Sequence, residues 1–161
     1  MTPNDFFEKI RPQIKEVMEA EGRVPMTAFF LWNKTSTIKL LPIPEALSND
    51  ASFKDLIQKV LRNFIQKEKP DLMILVMEVW MLKTKNQTEM DRIGPEGISE
   101  HPGRDEAVFV TGENAFGTTS WSAPISRDDS GKPTLGEFEN LGTDIKGRFA
   151  HLFMTWADEV N

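Results

Sequence analysis

The feature that most limits the fold is an apolar stretch of eleven residues, 72–82, with the sequence LMILVMEVWML. It contains one charged residue, Glu78, and it is far too short to span a bilayer as a helix, which takes about 20 residues. Apolar stretches of this length without polar alternation are typical of strands that are covered on both faces. We therefore predict a strand in the middle of a sheet.

Two amphipathic segments predict helices. Residues 3–21 follow Thr2, a good N-cap, and end before Gly22, which can adopt the left-handed conformation of a helix terminus. Residues 50–67 have a continuous apolar stripe with spacings of three and four, and Pro70 ends this segment. Both segments should place one apolar face against the predicted sheet.

The remaining segments predict strands, turns and one further helix. Residues 25–43 contain two β-rich runs around the polar sequence NKTS, and residues 106–125 contain two more around a turn, so each predicts a hairpin. Residues 134–141 predict a short last strand. Residues 83–104 are polar and rich in Gly and Pro, which predicts a long loop. Residues 145–156 have the apolar spacing of a C-terminal helix.

These segments follow one another in the order α-β-β-α-β-β-(β)-α. Because hairpins dominate, we predict an α+β fold with a mostly antiparallel five-stranded sheet and helices packed on it. The length of 161 residues suits one domain, residues 1–161, with its own core. The order is similar to that of roadblock and profilin-like domains, a likeness of fold that implies no function.

The composition bears on location and on partners. The chain has no Cys, which excludes disulfides, thiolate metal sites and a Cys nucleophile, and accords with a cytoplasmic location. The formal net charge of −6 repels nucleic acid and anionic membranes at long range. Residues 1–17 are charged throughout and lack an apolar signal core. We therefore expect a cytoplasmic protein that binds neither nucleic acid nor membranes.

Motifs for cofactors are missing from the sequence. A phosphate loop of the form GxxxxGK[ST], a G-x-S-x-G nucleophile turn and an HExxH zinc site are all absent. The two histidines, His101 and His151, are 50 positions apart in the sequence. Because metal sites usually need three or four ligands, we expect neither a bound metal nor another cofactor.

The stretch SEHPGRDE, residues 99–106, has the densest set of reactive side chains in the chain. His101 could act as a general base, because its ordinary pKa lies near neutrality, or could bind a metal with Glu100 or Glu106. Together with Glu78 and Arg104, these residues could form the site of a small hydrolase or a metal-dependent enzyme.

A structural role explains the same stretch equally directly. Pro102 and Gly103 suit a turn, and the polar side chains around them can cap the strand that follows. Glu78 alternates onto a face with apolar neighbours, where a buried carboxylate needs a partner, and Arg104 or Arg92 could supply it. Alternatively, Glu78 lies near the strand end and is solvated. On balance, we expect a structural joint, with Glu78 paired to Arg104.

Three motifs carry a family resemblance. They are E-x-W at residues 78–80, S-E-H-P-x-R-x-E at residues 99–106 and A-P-I-x-R-D at residues 123–128. Together they resemble a family of uncharacterised bacterial and phage-borne proteins of about 160 residues. This resemblance implies one intact domain of bacterial or phage origin, and it implies no catalytic residue.

Two functions from different classes remain open. The chain has four Trp, 11 Phe and eight Met, which either fill the core or form a partner-binding face, where Trp and Met are enriched. We favour a small soluble protein-interaction module that forms a homodimer through a face or edge of the sheet and, if phage-borne, acts on a host protein. The alternative is the hydrolase or metal-dependent enzyme that uses Glu78, His101, Arg104 and Glu106.

Overall fold

A computed structural model describes residues 1–44, 51–81 and 105–142. This part of the chain contains two helices and seven strands. They are α1 (Pro3–Glu21), β1 (Thr27–Trp32), β2 (Thr37–Pro42), α2 (Ala51–Glu68), β3 (Leu72–Met81), β4 (Asp105–Asn114), β5 (Gly117–Arg127), β6 (Pro133–Leu135) and β7 (Glu139–Gly142).

The strands form one antiparallel sheet in the order β2-β1-β3-β4-β5, and both β6 and β7 pair with β5. The predicted α+β class is confirmed, and so is the prediction that the apolar strand lies inside the sheet, since β3 pairs with β1 and β4. The predicted C-terminal helix and the loop at 83–104 lie outside the described residues.

The predicted count of five strands is wrong. All six β-rich segments of the sequence form strands, and the one expected at 134–141 forms two, which makes seven in the described residues. β6 pairs with the end of β5 at Ile125–Arg127, whereas β7 pairs with its middle at Ser120–Ser122. Gly136 lies between them, and its N–H donates to the carbonyl of Pro124 at 2.9 Å. A Cβ at Gly136 would lie only 2.8 Å from Cγ of Pro124, so this close approach requires glycine.

The bounds of α1 follow from the signals at its two ends. Thr2 Oγ1 accepts from the N–H of Asp5 at 3.2 Å, and the Asp5 carboxylate accepts from the N–H of Thr2 at 2.9 Å, which completes a capping box. The hydrogen bond from the Thr2 backbone lowers the pKa of Asp5. Gly22, with φ 75°, ends the helix and donates to the carbonyl of Met18.

α1 covers one face of the sheet and forms the larger core with it. Phe7 stacks on Trp121 with ring centroids 4.1 Å apart, and Phe138 meets Phe7 edge-on. The other buried side chains of α1 in this core, which pack over β3, β4 and β5, are Phe6, Ile10, Ile14 and Met18.

α2 covers the opposite face, where a smaller core forms over β1 and β3. Ile57, Leu61 and Ile65 are the buried residues of α2 in this core, and Met73 and Leu75 of β3 pack with them. β3 is therefore covered on both faces from Leu72 to Val76, as its composition predicts. No helix in the described part of the chain is long and apolar enough to cross a membrane.

Candidate functional site

The outward side of α2 is the first candidate, because it exposes large apolar side chains. Phe53 is 40% exposed, Leu56 52% and Val60 50%. Their spacings of three and four residues place them in one stripe, beside the buried stripe that packs on the sheet. The apolar face of α2 is thus wider than the surface that covers it. Apolar residues that are exposed one at a time need no explanation, but a continuous exposed stripe does.

The stripe faces the chain that follows β2, and the two surfaces enclose a groove of about 160 Å³. The N–H of Ile43 donates to the carbonyl of Met26 at 2.9 Å, which fixes this segment beside β1. Pro42 and Pro44 have no N–H, so the groove wall offers few donors. The groove is lined by Leu41, Pro42, Ile43, Pro44, Phe53, Leu56, Ile57, Val60 and Leu61.

Lysines surround the other end of the same surface. Trp32 Nε1 donates to the carbonyl of Glu68 at 2.9 Å, which anchors the C-terminal end of α2 to the end of β1. Lys39 of β2 places its Nζ 5.4 Å from the Trp32 ring centroid, within the range of a cation–π contact. Lys59 and Lys67 are exposed on α2, and neither forms an ion pair with any described residue.

The expected enzyme site is described only in part. His101, Arg104 and Glu100 lie outside the described residues, as does the proposed contact between Glu78 and Arg104. Glu78 fits the solvated alternative and not the favoured buried one, because its side chain is exposed. Its Oε1 accepts from the N–H of Val24 at 2.6 Å. α1 ends three residues before Val24, so β3 extends beyond the cover of that helix.

Glu106 forms an ion pair with Arg127 near Glu78. Arg127 Nε and Nη2 donate to the two carboxylate oxygens of Glu106 at 2.8 and 3.0 Å. These hydrogen bonds raise the pKa of Arg127 above its ordinary value, and the negative charges of Glu106 and Glu78 act in the same direction. The cross-strand pairs Trp80–Glu106 and Glu78–Val108 place both carboxylates on one face of the sheet.

Glu78, Glu106 and Arg127 thus lie near one another, where residues of the three motifs converge. Residues 78–80, Glu106 and Arg127 belong to different motifs, and the sheet brings them to one end of one face. The pair between Glu106 and Arg127 is bidentate, which fixes the orientation of both side chains. Its chemistry is that of a solvated ion pair that joins β4 to β5.

A buried polar cluster on the α2 side of β4 and β5 was not predicted. Glu113 is 2% exposed and lies opposite Thr118, while Thr111 lies opposite Ser120. The hydroxyls of Thr111, Thr118 and Ser120 have no hydrogen-bond partner among the described residues. The sequence does contain a signal for a polar face here, because polar residues alternate along β4 and β5 with Val110 and Trp121, which face α1.

The described residues, taken alone, contain no group of three His, Asp or Glu side chains placed to hold a metal ion. Comparison of the chain with protein-family models, with curated proteins and with solved structures gave no match.

Proposed function

We propose that this protein is an interaction module that binds a segment of another protein in the groove between α2 and the end of β2. The observation that carries the proposal is the exposed stripe of Phe53, Leu56 and Val60, which faces an apolar wall. Apolar grooves beside a helix are a common way to bind amphipathic peptides. The absence of Cys accords with action in the cytoplasm, and the partner is a host protein if the chain is phage-borne, as its motifs suggest.

The energetics favour binding over a merely tolerated exposure. Burial of apolar surface contributes about 25 cal/mol per Å², so three half-exposed side chains can supply a few kcal/mol to a complex. In the free protein the exposed part of each side chain remains in water and does not contribute to folding. Contiguous exposed apolar residues of this kind often mark protein-binding sites.

Selection from a peptide library tests the proposal. A displayed library of random 16-residue peptides is selected on the wild-type protein, with removal of peptides that also bind a Leu56→Ser/Val60→Ser variant. We expect the remaining peptides to carry apolar residues at spacings of three and four and to bind at least tenfold more weakly to Phe53→Ser.

The matched control is Phe116→Ser, which removes an almost fully exposed Phe from the β4–β5 turn. This variant should bind the selected peptides as the wild type does. Recovery of no peptide that depends on the stripe, or equal losses in Phe53→Ser and Phe116→Ser, would show that the groove is not a binding site.

A second proposal concerns self-association through β2. Among the described strands, β2 pairs only with β1, and Ile38 and Leu40 expose 48% and 59% of their surfaces. Unpaired edges of this kind readily add a strand from another chain. In a two-fold pairing centred on Leu40, Leu40 meets its own copy, whereas a pairing centred on Lys39 would oppose two lysines. We therefore propose a homodimer centred on Leu40.

Light scattering across micromolar concentrations measures this association. The wild type should approach the mass of a dimer, and Leu40→Lys should remain a monomer because it would place two cations against each other. Phe116→Lys, with the same change in chemistry at a distant exposed site, should behave as the wild type does. A monomeric mass that persists as the concentration of the wild type rises would contradict the homodimer.

A further inference from the structure

The charge of α2 differs in sign from that of the rest of the chain. α2 contains four basic and two acidic residues, whereas the remainder contains 15 basic and 23 acidic residues, for net charges of +2 and −8. The basic residues of α2 are Lys54, Lys59, Arg62 and Lys67, and the acidic ones are Asp55 and Glu68.

Lys39 and Lys67 lie at the opposite end of one continuous surface from the apolar groove, and Lys59 lies between them, next to Val60. The pairing of β1 with β2 places Thr37 beside Trp32, near the C-terminal end of α2, and Pro42 at the far end, near the groove. From Phe53 to Lys67 the helix rises about 21 Å, at 1.5 Å per residue. Lys39 and Lys67 thus define a basic half at the C-terminal end of α2, whereas Lys59 lies beside the apolar stripe.

The position of a lysine near a helix C-terminus has a structural explanation, because a cation there opposes the negative end of the helix dipole. That explanation covers Lys67 and Lys69. It does not cover Lys39, which lies on β2 and is held over Trp32, or Lys59, which lies in the middle of α2. The basic half of the surface is thus built from two elements.

We infer that the partner segment is an acidic amphipathic helix, an inference that rests on the function proposed above. Its apolar stripe packs along Phe53, Leu56 and Val60. Its carboxylates lie toward the end with Lys39 and Lys67 and within reach of Lys59 beside the stripe. A helix fits because residues on its surface repeat at the same spacings of three and four as the stripe on α2. Opposite charges at this end fix the direction of the bound helix.

Charge also decides between this partner and two others. An anionic membrane would approach the basic end but would meet the net charge of −6 of the whole protein. A second copy that docked α2 against α2 would set two helices of net charge +2 against each other and offer the basic half no acidic complement. An acidic helix from another protein meets neither penalty.

Three synthetic helical peptides of equal length test the inference by fluorescence anisotropy. All carry the same apolar stripe, and one end of each has four Glu, four Gln or four Lys. We expect the Glu peptide to bind about tenfold more tightly than the Gln peptide at low salt, since each exposed ion pair contributes ~0.2–1 kcal/mol. This preference should decrease as salt screens the charges.

Lys59→Gln/Lys67→Gln should remove most of the preference for Glu over Gln and leave binding of the Gln peptide unchanged. Lys9→Gln/Lys15→Gln, the same change of charge on exposed residues of α1, should leave the preference intact. Equal binding of the Glu and Gln peptides would overturn the acidic partner and leave the groove as a binding site. Binding of none of the three would count against the proposed function itself.

Two further measurements use the other candidate occupants as probes. Sedimentation with vesicles of phosphatidylcholine and 30% phosphatidylserine should show no binding. Vesicle binding that is lost in Leu56→Ser would show that the stripe binds a membrane surface and not a peptide. A dimer mass that is lost in Leu56→Ser and unaffected by Leu40→Lys would show that a second copy occupies the groove. Either result would overturn the inference.

Discussion

α1 and α2 have nearly equal lengths, 19 and 18 residues, and both are amphipathic, yet they use their apolar faces differently. α1 buries every large apolar side chain on its inner face against the broad centre of the sheet, from β3 to β5. α2 buries Ile57, Leu61 and Ile65 and leaves Phe53, Leu56 and Val60 half exposed.

The difference arises from where each helix lies on the sheet. α1 lies where side chains from several strands and from β6 surround it, so its apolar face meets protein across its whole width. α2 lies over β1 and β3 near the β2 edge, and beyond that edge no described strand continues the cover. Equal amphipathicity thus gives one structural helix and one helix that presents an apolar stripe.

The largest expected effect comes from matched Phe→Ala substitutions on the two helices. Phe7→Ala removes a buried ring that stacks on Trp121, so it should lower the free energy of unfolding by about 3–5 kcal/mol. Phe53→Ala removes a ring that is partly in water, so it should cost less than about 1 kcal/mol. Urea denaturation monitored by circular dichroism measures both values.

The same two variants, Phe7→Ala and Phe53→Ala, test whether the two helices differ in the way described. If Phe53→Ala destabilises the fold as much as Phe7→Ala does, the stripe on α2 belongs to the core, and the groove loses its role as an interface. If Phe53→Ala leaves stability nearly unchanged but prevents peptide binding, the two helices have the separate roles described above.

Local signals explain what the sequence predicts well. The bounds of α1 agree residue by residue with the prediction, because Thr2 and Gly22 act through hydrogen bonds within one turn of the helix. The bounds of α2 differ from the prediction by one residue at each end. The central position of β3 follows from its composition alone, because strands with so few polar residues are typically covered on both faces.

Tertiary relations explain what the sequence does not predict. Strand alternation correctly places Glu78 on one face with apolar neighbours, and its position near the strand end leaves solvation open, but which of the two holds depends on where α1 ends over the sheet. In α2, the position of the sheet edge likewise determines which part of the apolar face is covered and which part is exposed. The ion pair between Glu106 and Arg127 joins residues 21 positions apart, so spacing alone gives no signal for it.

A smaller effect tests how tightly α1 fits its face of the sheet. A Cβ at Gly112 of β4 would lie 2.9 Å from Cβ of Pro3 and 3.2 Å from the ring of Trp121. Gly112→Ala must therefore displace the start of α1 or the indole, and it should lower the free energy of unfolding by about 1–3 kcal/mol. Peptide binding at the groove should persist, because the groove lies on the opposite face.

Gly117→Ala is the matched control, since a Cβ there would meet nothing within 4 Å. It should leave stability unchanged or raise it by less than about 1 kcal/mol, because Ala restricts the unfolded chain. Thermal unfolding of both variants, followed by binding of the Glu peptide, separates the two faces. Equal stabilities of Gly112→Ala and Gly117→Ala would mean that α1 yields as easily as an exposed turn, and the contrast between a tightly seated α1 and a partly exposed α2 would then fail.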